Sequence, residues 1–216
     1  MATRNIVGNI LELAELRPVL QARIIFNHGV IMGKTGDSEG AIRDLTAVID
    51  MDGAGAGGIT LALTGRGQAR NERGDTEGQL DDQLRAAQHP DASTELRFLA
   101  LQCAFAALRS NKDDSKLNRV FHQADQTLSE LDEGQRVEAL TQLFRGLATE
   151  ENRKIWLTVW KRLAQTQPEN VVEKLAPFQP VAQILETGDI SLLDPLAPHE
   201  RAFAQRVLAA FGNSTG

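Results

Sequence analysis

Residues 22–52 read ARIIFNHGVIMGKTGDSEGAIRDLTAVIDMD, and residues 60–90 read TLALTGRGQARNERGDTEGQLDDQLRAAQHP. A shift of 38 positions places Gly29 on Gly67. The same shift also superposes Gly36 on Gly74, Asp37 on Asp75, Glu39 on Glu77, Gly40 on Gly78 and Asp44 on Asp82. Self-similarity at a fixed period of roughly 20 to 50 residues indicates a repeat architecture in which neighbouring units stack.

Each stretch is predicted to form a helical hairpin. In the first, Ile25, Gly29 and Met32 share one helical face of a helix over residues 18–34. Gly-Asp at 36–37 supplies a left-handed helix end followed by an N-cap, which predicts a second helix at about 38–51. The second hairpin is predicted at 59–72 and 76–88, after a glycine-rich flexible connector at 52–58.

The remaining helices are predicted with less regular spacing. A degenerate third hairpin spans about 93–110 and 115–131, because the shift of 38 carries Gly67 onto Phe105. Beyond residue 132 the period is lost, and no segment alternates β-branched with polar residues as a strand would. Further helices are expected at about 134–148, 150–166, 169–187 and 198–211, the third of them interrupted by Pro168, Pro177 and Pro180.

The hairpins resemble tetratricopeptide (TPR) repeats, which are helix-turn-helix units of about 34 residues. The pattern falls on Ile25, Gly29, Met32, Ala41, Leu45 and Val48 in the first repeat, and on Leu63, Gly67, Arg70, Gln79, Gln83 and Ala86 in the second. The resemblance implies an all-α fold: a right-handed superhelix of about three hairpins, followed by a C-terminal helical bundle. We therefore divide the chain into a partial repeat helix (1–17), a TPR-like array (18–131), a C-terminal bundle or cap (132–211) and a disordered tail (212–216).

The ends of the chain carry a second resemblance. The segment AQILETGDISLLDPLAPHERAFAQRVL, residues 182–208, is similar to the end of large bacterial multidomain TPR proteins. The helix at 5–13 is interpreted as the second helix of an earlier repeat, which suggests a segment of a longer protein. The alternative is an N-terminal cap, although a natural cap usually presents a polar outer face.

The resemblance also implies where a partner binds. The first helix of each TPR hairpin lines a concave groove that receives an extended peptide or a helix. The implied groove residues are Arg23, Asn27 and Lys34 in repeat one, Gln68, Asn71 and Glu72 in repeat two, and Gln102 and Arg109 in repeat three. Asn and Gln can bond to a peptide backbone, and Arg can bind a carboxylate through two bonds. A plain solvated groove is the alternative for each of them.

Composition narrows the classes of function. The net charge is −6 with a pI near 5.3, which opposes binding to nucleic acid or to an anionic membrane. No apolar run approaches the roughly 18 residues of a membrane span, and the N-terminus does not read as a signal peptide. A cytoplasmic location is therefore expected. The single Cys103 excludes an internal disulfide and is interpreted as an inert, buried thiol.

The candidate chemical motifs are better explained by structure than by catalysis. HGVIMGKT at 28–35 lacks the P-loop spacing and closes a predicted helix instead of following a strand. His28, His89, His122 and His199 are scattered, and none has another ligand at metal-binding spacing. We therefore expect no enzyme activity, no cofactor and no metal.

Trp156 and Trp160 lie four residues apart and so share one face of a helix. They are interpreted either as core of the C-terminal bundle or as an anchor patch for a partner protein, with a basic rim from Lys154, Lys161 and Arg162. The functional prediction is a non-catalytic scaffold for protein-protein interaction. Two alternatives remain open: a homo-oligomerisation module, and a small-ligand or enzymatic role of the C-terminal bundle.

Overall fold

The computed structural model describes residues 2–108 and 113–212, with side chains from residue 17 onward except at 164 and 165. Its described residues form helices joined by short turns and contain no strand, which confirms the prediction of an all-α protein. None of the helices in this part of the chain combines the length and the apolar character needed to cross a bilayer.

The helices follow one another with short connections. In chain order they are α1 (Ala2–Lys34), α2 (Ser38–Ile49), α3 (Ala56–Glu72), α4 (Thr76–Gln88), α5 (Thr94–Ala107), α6 (Asp114–Ser129), α7 (Glu133–Leu147), α8 (Arg153–Thr166), α9 (Glu169–Lys174), α10 (Gln179–Thr187) and α11 (Pro198–Ala210). Three short 3-10 helices lie at Glu150–Asn152, Ala176–Phe178 and Ile190–Leu193. The predicted interruption of 169–187 is confirmed, because the 3-10 turn containing Pro177 separates α9 from α10.

Two predicted boundaries are wrong. The expected separate helices at 5–13 and 18–34 are one continuous helix, α1, which runs through Pro18. A proline removes one backbone hydrogen bond and can bend a helix without ending it. The expected connector at 52–58 is shorter than predicted, since α3 already begins at Ala56 and includes Gly57 and Gly58. The predicted tail at 212–216 lies outside the described residues from 213 onward.

The chain divides into two compact units, residues 1–100 and residues 101–216, and the boundary lies within α5. In the first unit α2 packs against both α1 and α3, and α3 packs against α4. The core that joins the first three helices consists of the buried side chains Ala22, Ala41, Leu45, Val48, Ala54, Ala62 and Ala69. The stretches 22–52 and 60–90 therefore lie in direct contact as neighbouring hairpins.

The turns of the first two hairpins are built alike. Gly36 and Gly74 have φ values of 88° and 82°, a conformation that favours glycine. Asp37 caps α2 by accepting the Gly40 N–H at 2.7 Å, and Asp75 caps α4 by accepting the Gly78 N–H at 2.8 Å. The constant spacing of 38 residues thus corresponds to a repeated local structure, as the sequence predicts.

The second unit has an aromatic core. Phe144 lies at its centre, with ring centroids 5.5 Å from Trp156, 5.1 Å from Trp160 and 5.4 Å from Phe178. The Trp156 ring also meets Phe211 edge-on at 5.6 Å. Aromatic pairs at these separations add to the stability gained by burying their surface. The cluster joins α7 and α8 to the 3-10 turn at Ala176–Phe178 and to the C-terminal end of α11.

Candidate functional site

A small groove between α1 and α3 brings together three of the predicted binding residues. Lys34, Gln68 and Glu72 line a cavity of about 150 Å³ in the first unit. Its other lining residues are small or apolar, namely Gly29, Val30, Gly33, Ala41, Leu45, Gly65 and Ala69. The groove therefore has polar side chains at its rim and a floor of small residues from three helices.

The geometry of the groove follows from the way α1 and α3 run. At one end, a Cβ atom built on Gly55 would lie 4.0 Å from Cγ2 of Val19. At the other end, Lys34 and Glu72 border the same cavity. The two helices consequently run side by side in the same direction, and a ligand along the groove meets equivalent turns of both.

The floor is open because glycine occupies two positions facing α2. A Cβ atom on Gly29 would lie 3.1 Å from Cγ of Leu45, and one on Gly65 would lie 3.2 Å from Cδ1 of the same leucine. Contacts this short require the neighbour to move, so side chains larger than hydrogen are disfavoured here. Leu45 of α2 thus packs against both α1 and α3 and forms the base of the groove.

The charges of the rim are held differently on its two sides. Glu72 accepts a hydrogen bond from Ser38 Oγ at 2.6 Å, which fixes its carboxylate at the α3 side. Lys34 is exposed and forms no ion pair with any described side chain. An incoming group therefore meets one anchored carboxylate, the exposed ammonium group of Lys34 and the amide of Gln68.

The other predicted groove residues lie elsewhere or apart from this cavity. Arg23, Asn27 and Asn71 are exposed on α1 and α3 without lining it. Gln102 belongs to the second unit, where its amide lies against Gly146: a Cβ atom there would be 2.2 Å from Gln102 Oε1. Arg109 lies outside the described residues. Of the predicted groove residues that the structure describes, only Lys34, Gln68 and Glu72 therefore line the cavity.

The interpretation of Trp156 as an exposed partner anchor is wrong. Its side chain is fully buried, and its Nε1–H donates to the carbonyl of Phe144 at 2.9 Å. Burial of the indole in the aromatic core is the alternative that the sequence also allowed. Trp160 is half-buried and stacks on Trp156 with an interplanar angle of 7°.

A buried ionic network in the second hairpin was not predicted. Arg66 binds Asp82 through two bonds, from Nε at 2.9 Å and from Nη2 at 2.7 Å. Arg70 Nη1 donates to the same carboxylate at 2.8 Å, and Arg66 Nη1 reaches Thr46 of α2 at 3.0 Å. The repeat offered a signal for the pairing but not for its burial, because a shift of 38 places Arg66 and Asp82 on His28 and Asp44.

A second cavity lies within the second unit, between α7 and α11. It measures about 340 Å³ and is lined by Arg145, Ala148, Phe203, Arg206, Val207 and Ala210. The guanidinium carbon of Arg145 lies 5.7 Å from the centre of the Phe203 ring, within the range of a cation–π contact. Neither arginine forms an ion pair with a described side chain.

Two titratable groups of the second unit are perturbed by burial. Desolvation raises the pKa of Asp125, although nearby Arg162 and a hydrogen bond from Thr166 oppose the rise. Burial also raises the pKa of the Cys103 thiol, so its reactive thiolate is depleted near neutral pH. Among the side chains that the structure describes, no three His, Cys, Asp or Glu residues are placed to hold a metal ion.

Comparison of the chain with protein-family models, with curated proteins and with solved structures returned no match. The function of the chain is therefore inferred from its own geometry.

Proposed function

We propose that this protein is a non-catalytic scaffold for protein-protein interaction, whose groove between α1 and α3 holds a peptide segment or helix of a partner. The observation that carries the proposal is the convergence of Lys34, Gln68 and Glu72 on one cavity floored by glycine and alanine. A right-handed TPR-like superhelix, as an adaptor or sensory part of a larger bacterial protein, is the architecture we propose around that groove.

The size of the groove favours a peptide over a small molecule. Pockets for small molecules and cofactors typically have volumes of about 300–1,000 Å³. A cavity of about 150 Å³ is smaller than that range. It suits one side chain of a peptide whose neighbouring residues lie along the exposed helix faces.

The rim supplies the polar groups that a peptide requires. The Gln68 amide can both donate to a backbone carbonyl and accept from a backbone N–H. Lys34 offers three donors to a carbonyl or carboxylate, and Glu72 accepts from N–H groups. The glycines of the floor allow a backbone to approach closely, because no Cβ atom intervenes.

The proposal is tested by selecting a displayed library of random peptides on the purified protein. The selected peptides are then measured against the double variant Lys34→Glu with Gln68→Ala. Both side chains are exposed, so we expect the fold to be retained. We expect at least about tenfold weaker binding, as for substitutions at interface hot spots.

The matched control is Lys154→Glu, which makes the same charge change at an exposed position of α8. Peptide binding should survive this change. Equal binding to the wild type and the groove variant would refute the groove as the site.

A second candidate function is favoured by the cavity between α7 and α11. Two arginines that form no ion pair among the described residues, beside Phe203 and an apolar wall, suit an anion with an apolar body. The cavity volume of about 340 Å³ lies within the range of ligand pockets. In this case the C-terminal helices bind a small ligand independently of the first unit.

Titration calorimetry with octanoate, and with octanol as the uncharged analogue, tests this candidate. Octanoate should bind more tightly than octanol, and Arg206→Gln should reduce the difference because it removes one of the two charged donors. Lys154→Gln is the control for loss of one positive charge. Equal binding of acid and alcohol would exclude an anion site.

A further inference from the structure

The outward face of α1 carries large apolar side chains that are left in solvent. Leu20, Ile24 and Ile31 are 58%, 71% and 56% exposed. Their spacing of four and seven residues places them on one stripe of the helix. An apolar stripe of this kind on a rigid helix marks an interaction surface more often than an isolated exposed leucine would.

The internal repeat shows what such a stripe does in the second hairpin. A shift of 38 carries Ile24 onto Ala62 and Ile31 onto Ala69, which are 0% and 4% exposed. Those two alanines are buried in the core cluster that includes Leu45 and Val48 of α2. The corresponding face of α3 is therefore covered by the second helix of the preceding hairpin.

Residue 28 gives further support for the equivalence of this face of α1 and the covered face of α3. In the second hairpin, Arg66 extends from the covered face to Thr46 of α2 at 3.0 Å. In the first, the equivalent His28 is exposed and binds only Asp44 of its own hairpin, at 2.5 Å. The face of α1 thus has the layout of a helix-helix contact whose other helix is not part of the described chain.

The charged residues of α1 indicate which kind of helix could bind to the stripe. Residues 17–34 contain Arg17, Arg23 and Lys34 but no Asp or Glu, in a chain whose net charge is −6. All three cations are exposed, and none forms an ion pair with a described side chain. The helix that covers the equivalent face, α2 with its two caps, carries four acidic residues (Asp37, Glu39, Asp44 and Asp50) against one arginine.

We propose that the stripe formed by Leu20, Ile24 and Ile31 binds an acidic amphipathic helix of a partner protein. The apolar face of that helix would cover the stripe, and its carboxylates would face Arg17, Arg23 and Lys34. Isoleucines stand where α3 has the buried Ala62 and Ala69, so a helix on this face packs at a wider separation of axes than α2 does on α3. The apolar stripe itself does not line the groove between α1 and α3, although Lys34 borders both surfaces.

Two other occupants fit the charges or the repeat less well. A second copy of the chain, packed by its own α1 in antiparallel fashion, would bring Arg17 and Lys34 of the two copies together, and like charges repel. An anionic membrane would satisfy the three cations, but it would not use the helix-packing layout that α3 displays.

The experiment uses a helical probe derived from α2. The probe is a synthetic peptide of residues 37–51 with Arg43→Lys, closed by a lactam bridge between positions 39 and 43, which are exposed in the protein. It is titrated against the full chain, with fluorescence anisotropy as the readout. We expect saturable binding that weakens with added salt, since exposed charge pairs are screened.

Ile24→Asp and Ile31→Asp should each weaken binding at least about tenfold, because they place a carboxylate at the centre of the contact. Both positions are exposed, and circular dichroism of each variant checks that its helical content is unchanged. Ile190→Asp, at a 48% exposed isoleucine of the second unit, is the matched control and should leave binding unchanged. A probe with Leu45→Ser and Val48→Ser should not bind.

Three results would overturn the proposal. One is no saturable binding up to about 1 mM probe, a concentration at which even a weak specific contact is largely occupied. Another is equal binding to the wild type and Ile24→Asp. The third is absence of peptide binding together with another activity that depends on Ile24. Capture by phosphatidylglycerol vesicles would assign the stripe to a membrane, and a dimer in light scattering would assign it to self-association.

Discussion

The first and second hairpins have the same turn, but the polar pair that joins their two helices is exposed in the first hairpin and buried in the second. At the turn, the glycine, the aspartate cap and its glycine partner match residue for residue. Sixteen residues apart in each hairpin, a pair of polar side chains joins the two helices: a hydrogen bond between His28 and Asp44 in the first, and an ion pair between Arg66 and Asp82 in the second. The side chains of His28 and Asp44 are 57% and 28% exposed, whereas those of Arg66 and Asp82 are 7% and 1% exposed.

This contrast shows that how much a polar pair contributes to stability depends more on which helices cover it than on the local sequence. α3 is covered by α2, so a charge at its covered face must be paired and hydrogen-bonded. Asp82 meets this requirement with bonds from two arginines. The outward face of α1 has no such cover within the described chain, and its histidine pair stays in contact with solvent.

The largest expected effect comes from removing the buried carboxylate. Asp82→Ala should lower the free energy of unfolding by about 3–5 kcal/mol, because it leaves Arg66 buried without its partner. Asp44→Ala removes the equivalent exposed pair and should cost about 1 kcal/mol or less. Urea denaturation of both variants measures the difference, and equal losses would contradict the comparison.

Glycine substitutions at the helix contacts should affect both hairpins similarly. A Cβ atom on Gly67 would lie 2.8 Å from Nε2 of Gln83 and 3.1 Å from the carbonyl oxygen of Gln79, and one on Gly29 would lie 3.1 Å from Cβ of Asp44. Gly67→Ala and Gly29→Ala should each destabilise the protein by about 1–3 kcal/mol, the range expected for overpacking. Thermal unfolding provides the measurement.

Gly58 of α3 is the control for this pair. It lies inside a helix, and a Cβ atom there meets no atom within 4 Å. Gly58→Ala should therefore stabilise the protein by up to about 1 kcal/mol, the difference in helix propensity. Stabilisation by Gly29→Ala would show that α1 and α2 do not approach as closely as described.

The two helix caps should be equivalent. Asp37→Ala and Asp75→Ala each remove one bond to a backbone N–H at the start of a helix, which typically costs about 1 kcal/mol. The two bonds are 2.7 Å and 2.8 Å long, so their losses should agree. A much larger loss at Asp75 would mean that its cap is coupled to the Arg70 and Asp82 network.

The smallest effect is expected from making the first hairpin resemble the second. His28→Arg would place an arginine opposite Asp44, but at an exposed position where ion pairs contribute about 1 kcal/mol or less. The melting temperature should therefore change little. A large gain would indicate that the face of α1 is covered in solution, for instance by association of two chains.

Much of the fold could be predicted because it is encoded locally. The Gly-Asp turns and the helical spacing of apolar residues located α2, α4, α6 and α7 within a few residues. The continuity of α1 through Pro18 could not be predicted, since the residue type permits either a helix start or an internal bend. The burial of Trp156 was likewise ambiguous, because two aromatics on one helix face suit a core and an interface equally well.

The candidate site was predictable only in part. The resemblance to TPR repeats pointed to Lys34, Gln68 and Glu72, which line one cavity. It pointed equally to Gln102, whose amide packs against Gly146 of α7, a helix remote in sequence. It gave no sign that Arg66 is buried, because the equivalent position in the first hairpin holds an exposed histidine.

Helices, turns and the repeat are properties of the chain's local sequence, because caps, left-handed glycines and helical periodicity act over a few neighbouring residues. The packing of helices against one another settles the rest: which of two equivalent faces is buried, which ion pair is desolvated and which polar residues share a cavity. Those properties depend on what covers each helix, and burial changes the energy of a charge or an apolar side chain by several kcal/mol without any change in the local sequence.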